Sequence, residues 1–106
     1  MPLSDYLIPG EEIRFQSGSA ISFGGKNYRI LITSKRLLLY AERGFSFLKR
    51  DDVVSFKMDE LQGIKYREEG IINKKGILEI HGKTLVQLSG RAAETKALYQ
   101  QLLQFL

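Results

Sequence analysis

The chain of 106 residues predicts a mainly β fold: a roll or partly open barrel of about seven antiparallel strands capped by one C-terminal α-helix. Three observations carry this. Tyr28 to Tyr40 reads Tyr-Arg-Ile-Leu-Ile-Thr-Ser-Lys-Arg-Leu-Leu-Leu-Tyr, two dense β-favouring runs around a short polar break, the pattern of two paired strands and a turn. Short apolar segments punctuated by Gly, Asn and Asp recur on both sides of it. After Ser89-Gly90 the period changes, and Thr95, Leu98, Tyr99, Leu102, Phe105 and Leu106 fall on one wide face of a helix.

The elements follow in order. In the N-terminal segment, residues 1–10, Ser4 can cap a helical turn through Leu7 that Pro9-Gly10 ends. Glu11 to Ile21 reads as the first strand, with Ile13, Phe15, Ser17 and Ser19 on one face. Ser22-Phe23-Gly24-Gly25 is a turn, because the two glycines take positive φ at little cost. Tyr28 to Thr33 and Leu37 to Glu42 are the next two strands, and their near-continuous apolarity implies burial on both faces or a helix over one. Arg43-Gly44 marks a turn, a fourth strand starts at Phe45 and Phe47, Lys49 to Asp52 bulges or turns, and Val53 to Met58 resumes as strand. Asp59 to Gly63 is a turn and Ile64 to Glu68 a half-polar strand, after which Glu69-Gly70 and Asn73 to Gly76 bracket a loop. Ile77 to His81 and Thr84 to Leu88 form a hairpin over Gly82-Lys83. The helix spans 91–106 with Ser89 or Gly90 as its N-cap. Its polar face carries Ala97, Gln100, Gln101 and Gln104 rather than Lys or Arg, which favours packing on the sheet over packing on a membrane.

Composition bounds the function. The length suits one domain, 1–106, large enough to bury a core without staples. With no cysteine there is neither a disulfide nor a thiolate metal site. No apolar run approaches the roughly 18–20 residues that cross a bilayer, and the first ten residues lack the basic start of a secretory signal, so a cytoplasmic protein is expected. The net charge of +4 comes from 16 basic and 12 acidic residues interleaved along the chain, as in Lys49-Arg50-Asp51-Asp52. That charge is ordinary for a small soluble domain. It lacks the basic stripe a nucleic-acid partner calls for.

Two motifs carry a family likeness. Leu7-Ile8-Pro9-Gly10-Glu11-Glu12-Ile13 resembles the opening found before the first strand of bacterial pleckstrin-homology-like domains, relatives of the PH/GRAM superfold. Leu31-Ile32-Thr33-Ser34-Lys35-Arg36-Leu37 is similar to their hairpin between strands two and three. The resemblance runs nearly end to end and implies the roll described above, a non-enzymatic binding or assembly role, and homo-oligomers. It also implies where a lipid phosphate would be held, in and after the first hairpin, by a Lys followed by Lys-x-Arg. Here the region reads Lys26-Asn27-Tyr28-Arg29, without the second lysine, and Lys26 and Arg29 fall on opposite faces of a regular strand.

Chemistry-bearing residues are few. The single histidine, His81, sits at a hairpin tip, where a general base finds neither pocket nor positioned partner. Asp51-Asp52 and Asp59-Glu60 read as solvated turn residues rather than a dyad, since strand neighbours point to opposite faces. Gly82-Lys83-Thr84 ends like a phosphate loop, but Ile77 stands where the motif needs glycine and a strand follows where it needs a helix. No cofactor, metal or small-molecule substrate is expected. Phe23, Lys26, Arg29, Lys35 and Arg36 are candidates for contact with an anion or an anionic membrane. For Phe23 the alternative is folding back into the barrel end. For Arg36 it is holding the turn through backbone carbonyls or an acid such as Glu12. Leu3, Tyr6, Leu7 and Ile8 are candidates for covering a second copy or another protein.

Overall fold

The computed structural model describes residues 6–18, 20–43 and 50–105. Its centre is the segment that dominates the sequence. β3 (Lys26–Thr33) and β4 (Arg36–Arg43) pair antiparallel, with Ile32 opposite Leu37 and Ile30 opposite Leu39. Both faces are buried. Ile30, Ile32, Leu37 and Leu39 enter the main core. Leu31, Leu38 and Tyr40 form a second cluster on the outer face, packed against by Tyr6, Leu7, Ile13 and Val53. The continuous apolarity is thus explained by burial on both faces, the outer one under the N-terminal segment lying across the sheet and the inner one in the core that the C-terminal helix shares through Leu98 and Leu102.

The expected first strand is two strands. β1 (Ile13–Gln16) pairs with the end of β3, and β2 (Ile21–Phe23) with its beginning. Between them Ser17 stands at a corner, its N–H donating to Ile30 O and its hydroxyl accepting from Ile30 N. Ile13 and Phe15 do not share a face as alternation predicts. The register slips by one residue between them, so Ile13 packs in the outer cluster and Phe15 on the main core. One inserted residue inverts every side chain beyond it. Ser19 and Ser4 lie outside the described residues.

The remaining strands extend the sheet in the order β5-β4-β3-β2-β8-β7-β6. β5 (Arg50–Lys57) pairs with all of β4 in one unbroken register. Asp51 and Asp52 are therefore strand residues rather than a bulge or turn; the expected strand start at Phe45 and Phe47 lies outside the described residues. Asp59 and Glu60 lie in a short 3-10 turn, Met58–Glu60, and β6 (Leu61–Glu69) begins at once, earlier than expected. β7 (Lys75–Gly82) and β8 (Leu85–Arg91) complete the sheet. It does not close: β5 and β6 are its two ends, and no described strand joins them.

α1 (Ala92–Leu102) follows β8 directly, its N-cap being Arg91 rather than Ser89 or Gly90. No side chain caps it, because β8 stays in register with β7 through Arg91. The predicted apolar face is the buried one as far as the helix runs, which is to Leu102 rather than to 106; Leu106 lies outside the described residues. Thr95, Leu98 and Leu102 are fully enclosed, and Tyr99 stacks on Tyr66 with ring centres 5.2 Å apart. The helix covers β6, β7 and β8.

Candidate binding surfaces

The Thr33–Arg36 turn is built around a carboxylate. Thr33 is fully buried, and its hydroxyl accepts from the backbone N–H of Lys35 and Arg36 while donating to Glu11 Oε2. The Arg36 guanidinium grips the same carboxylate twice, Nε to Oε2 at 2.9 Å and Nη2 to Oε1 at 2.7 Å. Nη2 also donates to Tyr6 O at 2.6 Å and Nη1 to Ser55 Oγ at 3.1 Å. Glu11, whose side chain is 0 % exposed, receives a further bond from Ile8 N–H. The Arg36 bond holds its carboxyl well below the usual carboxylate range, at about 2, against burial that would raise it. Arg36 is in turn held protonated more firmly, its largest cause the bond to Glu11. The acid is Glu11, not its neighbour Glu12, whose backbone exchanges bonds with Ser34 instead. One arginine thereby ties the N-terminal segment, β4 and β5 together.

The other candidates are dispersed. Phe23 turns back onto the core, edge-on to Tyr28 and Phe56 with ring centres 6.1 and 6.3 Å away. The hairpin beyond it is the tight two-residue kind, with Gly24 at φ +60° and Gly25 at φ +82°, conformations that favour glycine. Lys26 and Arg29 are exposed and fall on opposite faces of β3. Lys35 and Arg36 lie past the other end of that strand, roughly 23 Å from Lys26 at strand rise. There Lys35 and Lys57 flank a hollow of about 460 Å³ that also involves Ile8, Met58 and Asp59. Of the N-terminal apolar residues, Tyr6 and Leu7 pack on the chain's own sheet and Ile8 is partly exposed, while Leu3 lies outside the described residues.

Asp51, Glu60 and the histidine have local partners, Glu60 through Lys83. Asp51 accepts from the Tyr6 hydroxyl at 2.8 Å and approaches the Tyr40 hydroxyl at 3.4 Å. Burial first, then the Asp51 and Glu42 carboxylates, push the Tyr40 phenol up to about 12. Burial and Glu68 do the same for Tyr66. A proton held more tightly in the folded state stabilises below the unfolded pKa of 10.0 and ceases to as pH climbs toward about 12. In an alkaline absorbance titration the phenolate signals of Tyr40 and Tyr66 should therefore appear late and together with unfolding; ordinary early titration of all tyrosines would contradict the burial. His81, exposed at the β7–β8 turn, has Nε2 3.6 Å from Glu79 Oε1. Among the described residues no group of acids and histidine is placed to hold a metal ion, and no helix is long and apolar enough to cross a membrane.

The sequence reading passed over the β6–β7 hairpin tip. Ile71 is 96 % exposed and Ile72 82 %, well above Ile8, Leu85 and Leu103. The signal was present, two aliphatic side chains between the turn residues Gly70 and Asn73. Lys74 and Lys75 follow, and Lys75 faces Arg91 across the β7–β8 ladder. These three cations, with Asn73, Ser22, Ser89 and Gly90, border a shallow hollow of about 350 Å³.

No family model matches the chain, and no curated protein does. The solved structures include a match: the crystal structure of a pleckstrin homology domain from Shewanella amazonensis SB2B, with a TM-score of 0.71 and 14 % identity, covering 97 % of this chain and 90 % of that one. At that identity the likeness is one of fold. The chain has a pleckstrin-homology-like fold, an open antiparallel sheet with one C-terminal helix.

Proposed function

We propose that this chain is a non-enzymatic binding and assembly module whose partner is protein, in the first place a second copy of itself. The observation that carries the reading is the open end of the sheet at β5. Val53, Val54 and Phe56 are only half-buried on a strand that the described residues extend no further. An end strand offers backbone donors and acceptors to an incoming strand, and half-buried aliphatic side chains beside it add apolar area. The charges of Arg50, Asp51 and Asp52 at the start of β5 restrict such pairing to a matched partner rather than open-ended aggregation. A pleckstrin-homology-like fold supports a docking role, and the Arg36 cluster, consumed in holding the scaffold, supports one without a reaction centre. The module is read as cytoplasmic.

Light scattering across a concentration series, paired with amide chemical shifts, tests this. Self-association should grow with concentration and move the amides of Val53 to Lys57. A strict monomer at the highest concentration, with those amides unmoved, would remove the reading. A membrane contact through the first hairpin is the weaker alternative, because the aromatic ring needed at its tip, Phe23, packs against Tyr28 and Phe56.

A further inference from the structure

The β6–β7 tip is built as a projection. Glu69 and Lys75 close the ladder in register, and the five residues between them form the turn. Gly70 at φ +104° and Asn73 at φ +55° sit in the left-handed region on either side of the isoleucines. Glycine enters that region freely and asparagine more readily than other side chains, so this turn is specified by its residues. It holds Ile71 and Ile72 out in water, where two adjacent aliphatic side chains are costly to keep.

Charge surrounds them unevenly. Lys74, Lys75 and Arg91 form one shoulder. Glu68 stands 3.9 Å from Lys74, Glu69 faces Lys75 across the ladder, and Arg67 is shared between Glu69 and Glu79. Glu69, Lys75 and Arg91 thus stand in one row across the strands, the acid on the β6 side of Lys75 and Arg91 directly opposite it on the β8 side, a like-charge pairing that costs stability. An apolar point with cationic shoulders matches a phase that is apolar inside and anionic at its surface. A globular partner fits less well. Stable protein interfaces bury about 800 Å² per side, far more than two isoleucines supply, and the shallow hollow beside them, bordered by Ala20 and Gly90 among polar and charged residues, offers no large apolar side chain.

We propose that the β6–β7 hairpin is a bilayer-contact site: Ile71 and Ile72 enter the interface of an anionic membrane, and Lys74, Lys75 and Arg91 lie at the level of its phosphates. This contact does not depend on the strand-edge assembly proposed above. It is also distinct from a contact through the first hairpin. β2 and β7 are each antiparallel to β8, so they run the same way. The first hairpin turn follows β2 and the isoleucine tip precedes β7, so the two point to opposite ends of the strands. Each tip alone gives a weak, salt-sensitive contact, since both the apolar area and the charge count are small. Copies joined through β5 would multiply it by presenting several tips to one surface.

Co-sedimentation of the full chain with vesicles of phosphatidylcholine, alone and mixed with phosphatidylserine, tests the site. The chain should pellet with the mixed vesicles at low salt and be released by added salt. Ile71→Ser/Ile72→Ser should lower that binding by at least about tenfold, with an unchanged melting curve because both side chains are exposed. Lys74→Ala/Lys75→Ala should weaken it and flatten its salt dependence, and Lys26→Ala, at the other end, should leave it intact. No pelleting of the wild-type chain, or equal pelleting of the isoleucine variant, overturns the proposal. So does a result in which inorganic phosphate alone shifts the Lys74, Lys75 and Arg91 resonances while the isoleucines are dispensable, which marks a simple anion site. If Ile71→Ser/Ile72→Ser abolishes self-association and leaves vesicle binding unchanged, the tip is a protein contact and the proposal fails, whereas loss of vesicle binding with assembly intact touches this proposal and not the other.

Discussion

Replacing Arg36 with leucine is expected to destabilise the fold by about 3 kcal/mol at neutral pH, because it strips the partner from a buried carboxylate. Glu11 would keep only the Thr33 hydroxyl and the Ile8 N–H, and Tyr6 O and Ser55 Oγ would each lose a donor. The loss is a large share of the roughly 5–15 kcal/mol that holds a typical domain together. Its pH dependence identifies the mechanism. In the wild-type chain the bond from Arg36 holds the Glu11 carboxyl down at about 2, well below the ordinary 4.5. Its contribution is therefore complete above about 4.5 and is lost as pH falls toward about 2. Without Arg36 the largest cause of that depression is gone and burial still opposes the charge, so the carboxyl takes up its proton at higher pH than in the wild type, with only the Thr33 and Ile8 bonds favouring the charged form. The variant then gains stability, relative to wild type, as acid neutralises Glu11. Denaturant midpoints at neutral pH and near pH 3 should show the gap between the two proteins narrowing on acidification. A gap that stays constant would mean that Arg36 acts through packing alone. Adding Glu11→Gln to Arg36→Leu should recover part of the loss at neutral pH, since the uncompensated charge is gone.

Arg36 was legible as a turn-fixing residue bound to backbone carbonyls or to an acid such as Glu12, whereas the acid it grips is Glu11. Which of two adjacent carboxylates points inward depends on the path of the backbone through the Pro9-Gly10 turn, which composition does not encode. The same limit explains Ile13 and Phe15. Alternation places them together, and a single extra residue in the ladder separates them into two clusters. Tyr28 to Tyr40 announced burial on both faces because every position there is apolar on both parities. It could not say that the outer cover would be Tyr6 and Leu7, a contact across more than twenty residues that local pattern cannot report. Asp51 and Asp52 looked like turn residues because strands disfavour aspartate. In the structure Asp51 sits where two tyrosine hydroxyls reach it, a tertiary contact that outweighs propensity. At the β6–β7 loop the turn residues were legible and marked its limits, but only exposure distinguishes an isoleucine pair that projects from one that folds inward.

Gly76 is a further position whose role lies in three dimensions, and its substitution is the second large effect expected. In sequence it closes a loop. In the sheet it is an interior residue of β7, opposite Gly90, with the first turns of α1 lying against it. A Cβ at Gly76 would lie 2.2 Å from Thr95 Oγ1, 2.8 Å from Thr95 Cβ and 3.0 Å from the Tyr66 hydroxyl. Thr95 cannot yield cheaply, because it is fully buried and its hydroxyl is bonded to Arg91 O. Rotating it away would strand that hydroxyl, so the helix must lift instead, loosening Leu98 and Leu102 from the core. Overpacking of this kind costs typically 1–3 kcal/mol, and Gly76→Ala is placed at about the upper end of that range, with Gly76→Val beyond it. Denaturant unfolding reads the loss, and hydrogen exchange locates it, since the amides around Leu98 and Leu102 should lose protection before those of β3 and β4. Gly63→Ala supplies the control. Gly63 is also a strand glycine, but nothing lies within 4 Å of where its Cβ would be, so the same substitution there should be neutral or stabilising. Equal losses at Gly63 and Gly76 would show that strand backbone, not helix approach, is responsible. Thr95→Ala combined with Gly76→Ala should cost less than the sum of the two single changes, because removing the hydroxyl takes away the closest of the atoms that the new methyl meets, although the Cβ at position 95 remains.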